Sequence, residues 1–255
     1  MQSIYRETLT VPTYTVGPEG LLRPSALLRM QQEAGEKQLL GGGMGTAALA
    51  ERGLAFVVTR LNMQVTRLPR TGETVVLTTW HRETRGVQFF RCYTLTEPDG
   101  TPLTAGVSAF ALVDTEGHHL LRPDALGDGA LPAEPELQNG CPDPKKELPP
   151  ALTEVAAFRP RWSELDQNGH VNNTCYADFL CDFVPSGMAR KRVTGFSVRF
   201  ERETLPEDTL TLSAAEERWQ ENGQTGGVAW VAGHHARGEA FVGKLCYEDD
   251  YERRF

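Results

Sequence analysis

The stretch "LNMQVTRLPRTGETVVLTTW" (Leu61–Trp80) has a counterpart later in the chain. Shifted by 135 positions, it lies without a gap on "FSVRFERETLPEDTLTLSAA" (Phe196–Ala215). In both copies apolar residues alternate on one face, and a turn divides the copy into two strands. The 255-residue chain is therefore interpreted as a fused duplication.

A helical pattern precedes each copy, over Pro24–Leu40 in the first half and Asn173–Phe183 in the second. The second has apolar residues at i, i+3, i+4 and i+7, as in a buried helical face: Tyr176, Phe179, Leu180 and Phe183. More strand-like runs follow each copy. Each half is predicted to be an α+β unit, in which a helix comes first and an antiparallel sheet buries its apolar face on that helix.

A proline-rich stretch separates the halves. "GDGALPAEPELQNGCPDPKKELPP" (127–150) holds six of the 16 prolines and has no apolar periodicity. We therefore predict a first domain over residues 1–128, a linker over 129–150 and a second domain over 151–255.

Charge and cysteine content narrow the class of protein. A net charge of −8 disfavours nucleic-acid binding, and five scattered cysteines without CxxC spacing indicate neither disulfides nor a zinc site. No apolar run is long enough to predict a membrane span, and no secretion signal is recognisable. A cytoplasmic protein is expected. The histidine pairs His118-His119 and His234-His235 are predicted to lie on the surface.

A dense polar series enters the second helix in "RWSELDQNGHVNNTCYADFL" (161–180). Its members can exchange protons or hydrogen bonds: Asp166, Asn168, His170, Asn172 and Asn173. Asn172 or Asn173, taken alone, is more simply interpreted as a helix cap. Metal binding is disfavoured because no second histidine or cysteine pair accompanies the motif.

This segment resembles the signature of the acyl-ACP thioesterases (FatA/FatB type), a D-x-N-x-H-V-N-N-x-x-Y motif. The likeness extends to "FVVTRLNMQV" and "GETVVLTTW" in the first half, and it covers most of the chain. It implies two tandem hotdog domains, each an antiparallel sheet wrapped around a central helix. It also implies a catalytic network, which carries over to Asp166, Asn168, His170 and, in "FERET", Glu203.

The sequence departs from the plant enzymes in three ways. Thr204 stands where they usually have cysteine, which argues against an essential thiol, and Cys175 stands where they often have lysine. The plant enzymes also begin with a plastid transit peptide, whereas this chain starts directly with the folded part. A bacterial protein is therefore expected.

Thioester hydrolysis needs an activated water and a site for the oxyanion. His170 with a carboxylate can supply the base, and Asn168 can orient the water. Main-chain amides of Val171, Asn172 and Asn173, at the start of the helix, can bind the oxyanion.

The first half lacks this polar set. At the offset of 135, Glu203 corresponds to Leu68; at a helix-based offset of 149, His170 corresponds to Leu21 and Asp166 to Gly17. A residue type needed for stability would be kept in both copies, so the polar set indicates a task performed once.

The acyl chain is predicted to bind in the first half. There the helix presents Met30, Ala34 and the adjacent Gly35, which are small or flexible, whereas the second helix presents three aromatic side chains. The strands are expected to add an aromatic lining to this apolar tunnel: Trp80, Phe89 or Phe90, and Phe110.

The sequence thus predicts a cofactor-independent hydrolase that releases free fatty acid from fatty acyl-ACP in fatty acid biosynthesis, as a monomer or homodimer. Its partner would be the acidic acyl carrier protein, docked on Arg190, Lys191 and Arg192. An acyl-CoA thioesterase is the nearest alternative, a hotdog dehydratase is weaker, and a non-catalytic acyl-thioester binding module is the alternative outside enzymes.

Overall fold

The computed structural model describes residues 2–127 and 131–250. The chain divides into two compact units: unit 1 contains Met1–Leu22 and Ala26–Pro144, and unit 2 contains Arg23–Ser25 and Lys145–Phe255. This division falls inside the predicted linker, whereas the predicted limit at 128/129 lies outside the described residues. None of the helices in the described ranges has the length and apolar character needed to cross a membrane.

The described residues of unit 1 form one antiparallel sheet and two α-helices, besides short 3-10 turns. In chain order, its elements are β1 (Ile4–Thr10), α1 (Pro24–Leu40), α2 (Thr46–Glu51), β2 (Leu54–Val65), β3 (Thr74–Arg85), β4 (Gln88–Thr96) and β5 (Pro102–Asp114). The strands are ordered β1-β3-β4-β5-β2, and all four neighbouring pairs are antiparallel. Helix α1 has the predicted bounds.

Unit 2 repeats this arrangement. Its elements are β6 (Thr153–Phe158), α3 (Cys175–Asp182), β7 (Lys191–Phe200), β8 (Leu210–Glu221), β9 (Gln224–His235) and β10 (Gly238–Asp249). The strands are ordered β6-β8-β9-β10-β7 and are again antiparallel. Adding five to each strand number of unit 1 gives this order, so the two units have the same strand order. Strands β2 and β7 end 135 residues apart, at Val65 and Phe200. The predicted duplication is confirmed.

One aspect of the predicted element order is wrong. Each unit begins with a strand, β1 or β6, rather than with its helix. Both are edge strands whose residues are exposed or half-buried, so they lack the apolar alternation that identifies the other strands. Helix α3 is also shorter than predicted, because it starts at Cys175 after a turn.

The core of unit 2 forms beneath α3. Tyr176, Phe179 and Leu180 are buried, as predicted, and the Tyr176 ring centroid lies 4.6 Å from that of Phe241. Phe183, which was predicted to be buried with them, follows the end of α3 and is half-buried. A side chain at Gly243 would overlap Leu180, so glycine lets the helix approach β10 closely. Burial of each large apolar side chain contributes about 1.5–3 kcal/mol.

Part of the predicted linker packs on unit 1. Residues 131–150 contain no helix or strand. The Trp80 indole donates to the carbonyl of Leu137 (3.1 Å), Arg82 donates to the carboxylate of Asp143 (2.6 Å), and Cys141 is buried beside Trp80. This segment therefore covers one face of the unit 1 sheet.

That face is the one turned away from α1. Successive side chains in a strand point to opposite faces, and Thr79 and Arg91 belong to the network that reaches α1. Trp80 follows Thr79 in β3, and Phe90 precedes Arg91 in β4. Both side chains therefore point to the covered face. The prediction that they line the helix side is wrong.

Candidate active site

The loop before α3 carries the polar motif on a tight turn. The amide of Asp166 donates to the carbonyl of His170 (2.8 Å), and the amide of Gly169 donates to the carbonyl of Asp166 (3.0 Å). Gly169 has φ 78°, a left-handed conformation that favours glycine. The turn therefore holds Asp166 and His170 opposite each other at its base.

The Asp166 carboxylate stabilises this turn. One of its oxygens accepts from the amides of Asn168 (2.8 Å) and His170 (3.3 Å). The other lies 3.4 Å from the side-chain amide of Asn168, which is otherwise exposed. The half-buried imidazole of His170 makes no hydrogen bond to any described residue. The carboxylate–imidazole hydrogen bond expected from the sequence is therefore not formed within the described ranges.

Thr204 joins the end of β7 to this loop. Its carbonyl accepts from the amide of Val171 (2.9 Å), and its hydroxyl accepts from the Tyr176 hydroxyl (3.0 Å). Burial raises the pKa of Tyr176 to about 12, so its hydroxyl stays protonated and can donate. Thr204 thus has a structural role, and it brings the main chain of Glu203 beside that of His170.

The Glu203 carboxylate is held by an arginine. Arg237 donates to Glu203 Oε1 (3.1 Å), to the Glu203 carbonyl (3.0 Å) and to the Asp208 carboxylate (2.6 Å). His235 Nε2 lies 3.1 Å from the same carbonyl, and its Nδ1 accepts from the Arg237 amide, so the proton is assigned to Nε2. Burial alone would raise the pKa of Asp208, but the hydrogen bonds from Arg237 and the Leu205 amide lower it overall.

The sequence missed this supporting group. His235 was predicted on the surface, but it is 5% exposed, so that prediction is wrong. It ends β9, and Arg237 lies in the turn that follows, both more than thirty positions after Glu203. No local spacing rule relates His235 and Arg237 to Glu203. They reach it only because β9 pairs with β8 and β10.

The predicted oxyanion donors are mostly occupied. Val171 donates to Thr204, and the amide of Asn172 donates to the carbonyl of Glu164 (2.8 Å). The side-chain oxygen of Asn172 accepts from the amide of Thr174 (2.9 Å), as a helix cap does. Of the three predicted amides, that of Asn173 alone has no acceptor among the described residues. The oxyanion assignment therefore narrows to Asn173.

The predicted acyl-binding residues lie on α1. Ala34 is fully buried, and Met30 is half-buried. Beside Ala34, a side chain at Gly35 would stand 3.8 Å from the side chain of Arg91 in β4. Phe89 and Phe110 pack instead in the cluster that includes Leu49 of α2. Beside Gly35, the sheet beneath α1 therefore presents the Arg91 side chain in place of the expected aromatic lining.

Comparison with known proteins agrees with this architecture. Residues 2–123 match the family model of the acyl-ACP thioesterase N-terminal domain, and residues 149–235 match that of the C-terminal domain. A crystal structure of an acyl-ACP thioesterase from Bacteroides thetaiotaomicron superposes with a TM-score of 0.79 at 20% identity, covering 96% of this chain and 98% of that one. The 12:0-ACP thioesterase from Umbellularia californica gives 0.79 at 22% identity, covering 97% and 94%.

Curated relatives match over a shorter share of their own length. An acyl-[acyl-carrier-protein] hydrolase of Cuphea viscosissima is 24% identical over 219 residues, which cover 81% of this chain and 53% of the relative. A dodecanoyl-[acyl-carrier-protein] hydrolase of Umbellularia californica is 27% identical over 221 residues, covering 81% and 58%. The chain thus spans little more than half the length of these relatives.

The two units define a tandem hotdog protein, as predicted. The chain belongs to the acyl-ACP thioesterase family, because the two family models together match most of its length.

Proposed function

We propose that the chain hydrolyses fatty acyl thioesters carried on acyl carrier protein and releases free fatty acid. The observation that carries the proposal is a loop that the chain builds twice with the same main-chain hydrogen bonds. The catalytic residue types occur in one copy alone. Family membership supports the reaction class.

The two loops share the hydrogen bonds that form the turn and the bond that ties it to the segment after the next strand. In unit 1 the amide of Gly17 donates to the carbonyl of Leu21 (2.8 Å), and the amide of Gly20 donates to that of Gly17 (3.0 Å). These are the bonds that Asp166, His170 and Gly169 make in unit 2. The amide of Leu22 donates to Pro69 (2.8 Å), as Val171 donates to Thr204. The loop therefore forms without aspartate or histidine.

In the proposed reaction, His170 takes a proton from water while the hydroxide attacks the thioester carbonyl. The Asp166 carboxylate holds the turn, and Asn168 orients the water. The oxyanion is met by the Asn173 amide; one such donor is worth about 3 to 4 kcal/mol in known sites. Collapse of the tetrahedral intermediate breaks the C–S bond, and the leaving thiolate takes the proton from His170.

Glu203 is the second carboxylate of the proposed network. Arg237 binds it through a charge-assisted hydrogen bond, which fixes the carboxylate in position. From there it can accept a hydrogen bond from the attacking water or stabilise a positively charged His170.

The partner surface predicted from the sequence needs revision. Lys191 is 7% exposed, and its ammonium donates to the Ser186 carbonyl (3.4 Å); Arg192 forms an ion pair with Glu248. Lys191 therefore cannot contact a partner.

Two exposed cations stand closer to the polar loop. Arg159 and Arg161 are exposed and flank the start of the turn that holds Trp162, which is 89% exposed. This basic segment ends five residues before Asp166. We propose that it docks the acidic acyl carrier protein, because opposite charges steer association.

The acyl chain is proposed to bind in unit 1, on the Met30 and Ala34 side of α1. A larger side chain at the fully buried position of Ala34 would take up space that the acyl chain needs. In Ala34→Phe we expect the released fatty acids to shift toward shorter chains. An unchanged profile in the folded variant, with a changed profile in Phe179→Ala, would assign the chain to unit 2.

The test is a matched panel of acyl-ACPs and acyl-CoAs incubated with purified protein, with released thiol as the signal. Higher kcat/KM on acyl-ACP supports the proposal, and equal or higher values on acyl-CoA favour the acyl-CoA alternative. Saturable binding of acyl-ACP without thiol release would instead identify a non-catalytic binding module.

A further inference from the structure

Unit 1 contains a buried guanidinium that the proposed reaction does not use. Arg91 of β4 lies under α1 and is 7% exposed. It donates to the side-chain oxygen of Gln38 on α1 and to the Thr79 hydroxyl on β3 (3.3 Å). The Gln38 amide in turn donates to the carbonyls of Gln2 (3.0 Å) and Ser3 (2.8 Å). The arginine is therefore held firmly, but by neutral partners.

No aspartate or glutamate of residues 2–127 or 131–250 forms an ion pair with Arg91. The titratable groups around it are neutral near pH 7. Burial, with Arg91 itself, lowers the pKa of His81 to about 4, and burial raises the pKa of Tyr93 to about 12. The described surroundings thus leave one positive charge without a counter-charge. Such a charge is costly to bury unless an anion accompanies it.

The duplicated fold does not require this charge. In the sheet register, Thr79 pairs with Tyr93 and His81 with Arg91; the corresponding pairs in unit 2 are Ala214 with Val231 and Glu216 with Ala229. Arg91 therefore corresponds to Ala229, which is fully buried beneath α3. An apolar residue satisfies the architecture at this position, so the arginine indicates a separate role.

The position of Arg91 suggests what that role is. It lies against Gly35, directly beside Ala34, on the part of α1 to which we assign the acyl chain. The glycine brings the helix backbone to the guanidinium without an intervening side chain. A chain that enters along Ala34 would therefore meet a cation rather than an apolar end wall.

We propose that Arg91 binds a carboxylate at the far end of the acyl chain, so that unit 1 selects acyl groups derived from dicarboxylic acids over plain alkyl chains. The planar guanidinium can donate to both oxygens of a carboxylate, which a methyl end cannot accept. This inference rests on the proposed function for the location of the chain, but it concerns binding and can be tested without hydrolysis.

The test is calorimetric titration with methyl esters, so that the two ligand series differ only at the far end of the chain: methyl esters of the monocarboxylic acids from hexanoic to hexadecanoic acid and monomethyl esters of the dicarboxylic acids of the same lengths. At one or more lengths, the wild-type protein should bind the monomethyl ester of the dicarboxylic acid at least about tenfold more tightly, as expected for hydrogen bonds to a buried charge. Arg91→Met should remove this preference, and Arg91→Lys should retain part of it. Arg85→Met, which removes a β3 arginine paired with Asp143, should leave it unchanged.

Equal binding of the two series by the wild-type protein would overturn the inference, as would a preference that survives in Arg91→Met. If Arg91→Met does not fold, the wild-type preference and its reduction in Arg91→Lys decide the question. Measuring hydrolysis of thioesters of the same acids separates this inference from the proposed function. A binding preference without hydrolysis of any thioester would refute the hydrolase alone, whereas hydrolysis without a preference would refute the role of Arg91.

Discussion

Unit 1 and unit 2 place their polar residues in opposite parts of the same architecture. In unit 1 the loop before the helix has glycine and leucine at the positions that correspond to Asp166 and His170, while the sheet beneath the helix contains a buried arginine, histidine and threonine. In unit 2 the loop contains aspartate, asparagine and histidine, while the sheet beneath the helix has alanine at the two positions that correspond to Thr79 and Arg91. The shared main-chain bonds define the fold, and the side chains on that frame are free to differ.

This exchange separates stability from chemistry. The matched loop bonds each contribute about 0.5–1.5 kcal/mol in either unit, because main-chain groups supply them. These main-chain bonds form in both units, so they do not require the polar residues that are present in one copy alone. The unit 2 loop is therefore the better candidate for catalysis, and the unit 1 interior is the better candidate for ligand selection.

The largest effect is expected from giving the unit 2 loop the residues of unit 1. Asp166→Gly/His170→Leu should lower kcat/KM on acyl-ACP by a factor of about 10² to 10⁴, because the general base is lost. The melting temperature should fall by only a few degrees, since unit 1 builds the same loop with these residues. Steady-state kinetics and calorimetry check both parts. Unfolding of the variant would show that the two loops are not equivalent.

A second substitution compares the neighbouring carboxylate with its counterpart. Glu203→Gln should lower turnover of acyl-ACP by about 10², because the amide carries no charge to stabilise the protonated base. Leu68→Gln is the repeat-matched control and should retain the wild-type rate. Similar losses in both variants would assign the Glu203 effect to packing at that position.

Because unit 1 buries a histidine, the free energy of unfolding should decrease at acid pH. The pKa of His81 is lowered from 6.5 to about 4, mainly by burial and also by Arg91. The unfolded chain therefore binds more protons between these values, and the free energy of unfolding should fall as pH drops from 6.5 to 4. The loss is about 3 kcal/mol.

Urea unfolding at several pH values measures this slope. His81→Asn should lose the His81 part of the slope, while His119→Asn, at an exposed turn, should keep it. An unchanged acid limb in His81→Asn would show that His81 is protonated in the folded protein.

The smallest effect concerns partner docking, for which unit 1 has no arginine at the corresponding positions. Arg159→Glu/Arg161→Glu should raise KM for acyl-ACP about tenfold at low salt and leave a small acyl thioester unaffected. The control is Arg190→Glu, a single charge reversal farther along the chain from the polar loop. Equal loss on both substrates would point to a defect in the fold.

Features that depend on neighbouring residues were predictable from the sequence, whereas features that depend on contacts between distant residues were not. The duplication, the burial of Tyr176, Phe179 and Leu180 in α3 and the positions of the inner strands follow from local periodicity, and they are confirmed. The edge strands lack that periodicity. The face to which Trp80 points depends on strand register and on packing of residues 137–143, which no local pattern shows. The same holds for Arg237, which reaches Glu203 only through strand pairing.

The candidate site was predictable in its residue types but less so in its contacts. Spacing and family resemblance together single out Asp166 and His170. They do not show that the Val171 and Asn172 amides are used by the loop itself, because this depends on the bridge to Thr204 and the turn back to Glu164.

The central claim is that His170 activates water for thioester hydrolysis in unit 2. The most direct measurement is the rate of thiol release from acyl-ACP by the wild-type protein and by His170→Ala, purified and assayed in parallel. The account predicts catalytic release by the wild-type protein and a rate lower by at least about 10² in the folded variant. Release by His170→Ala at the wild-type rate, or no release by the wild-type protein from any acyl-ACP, would contradict it.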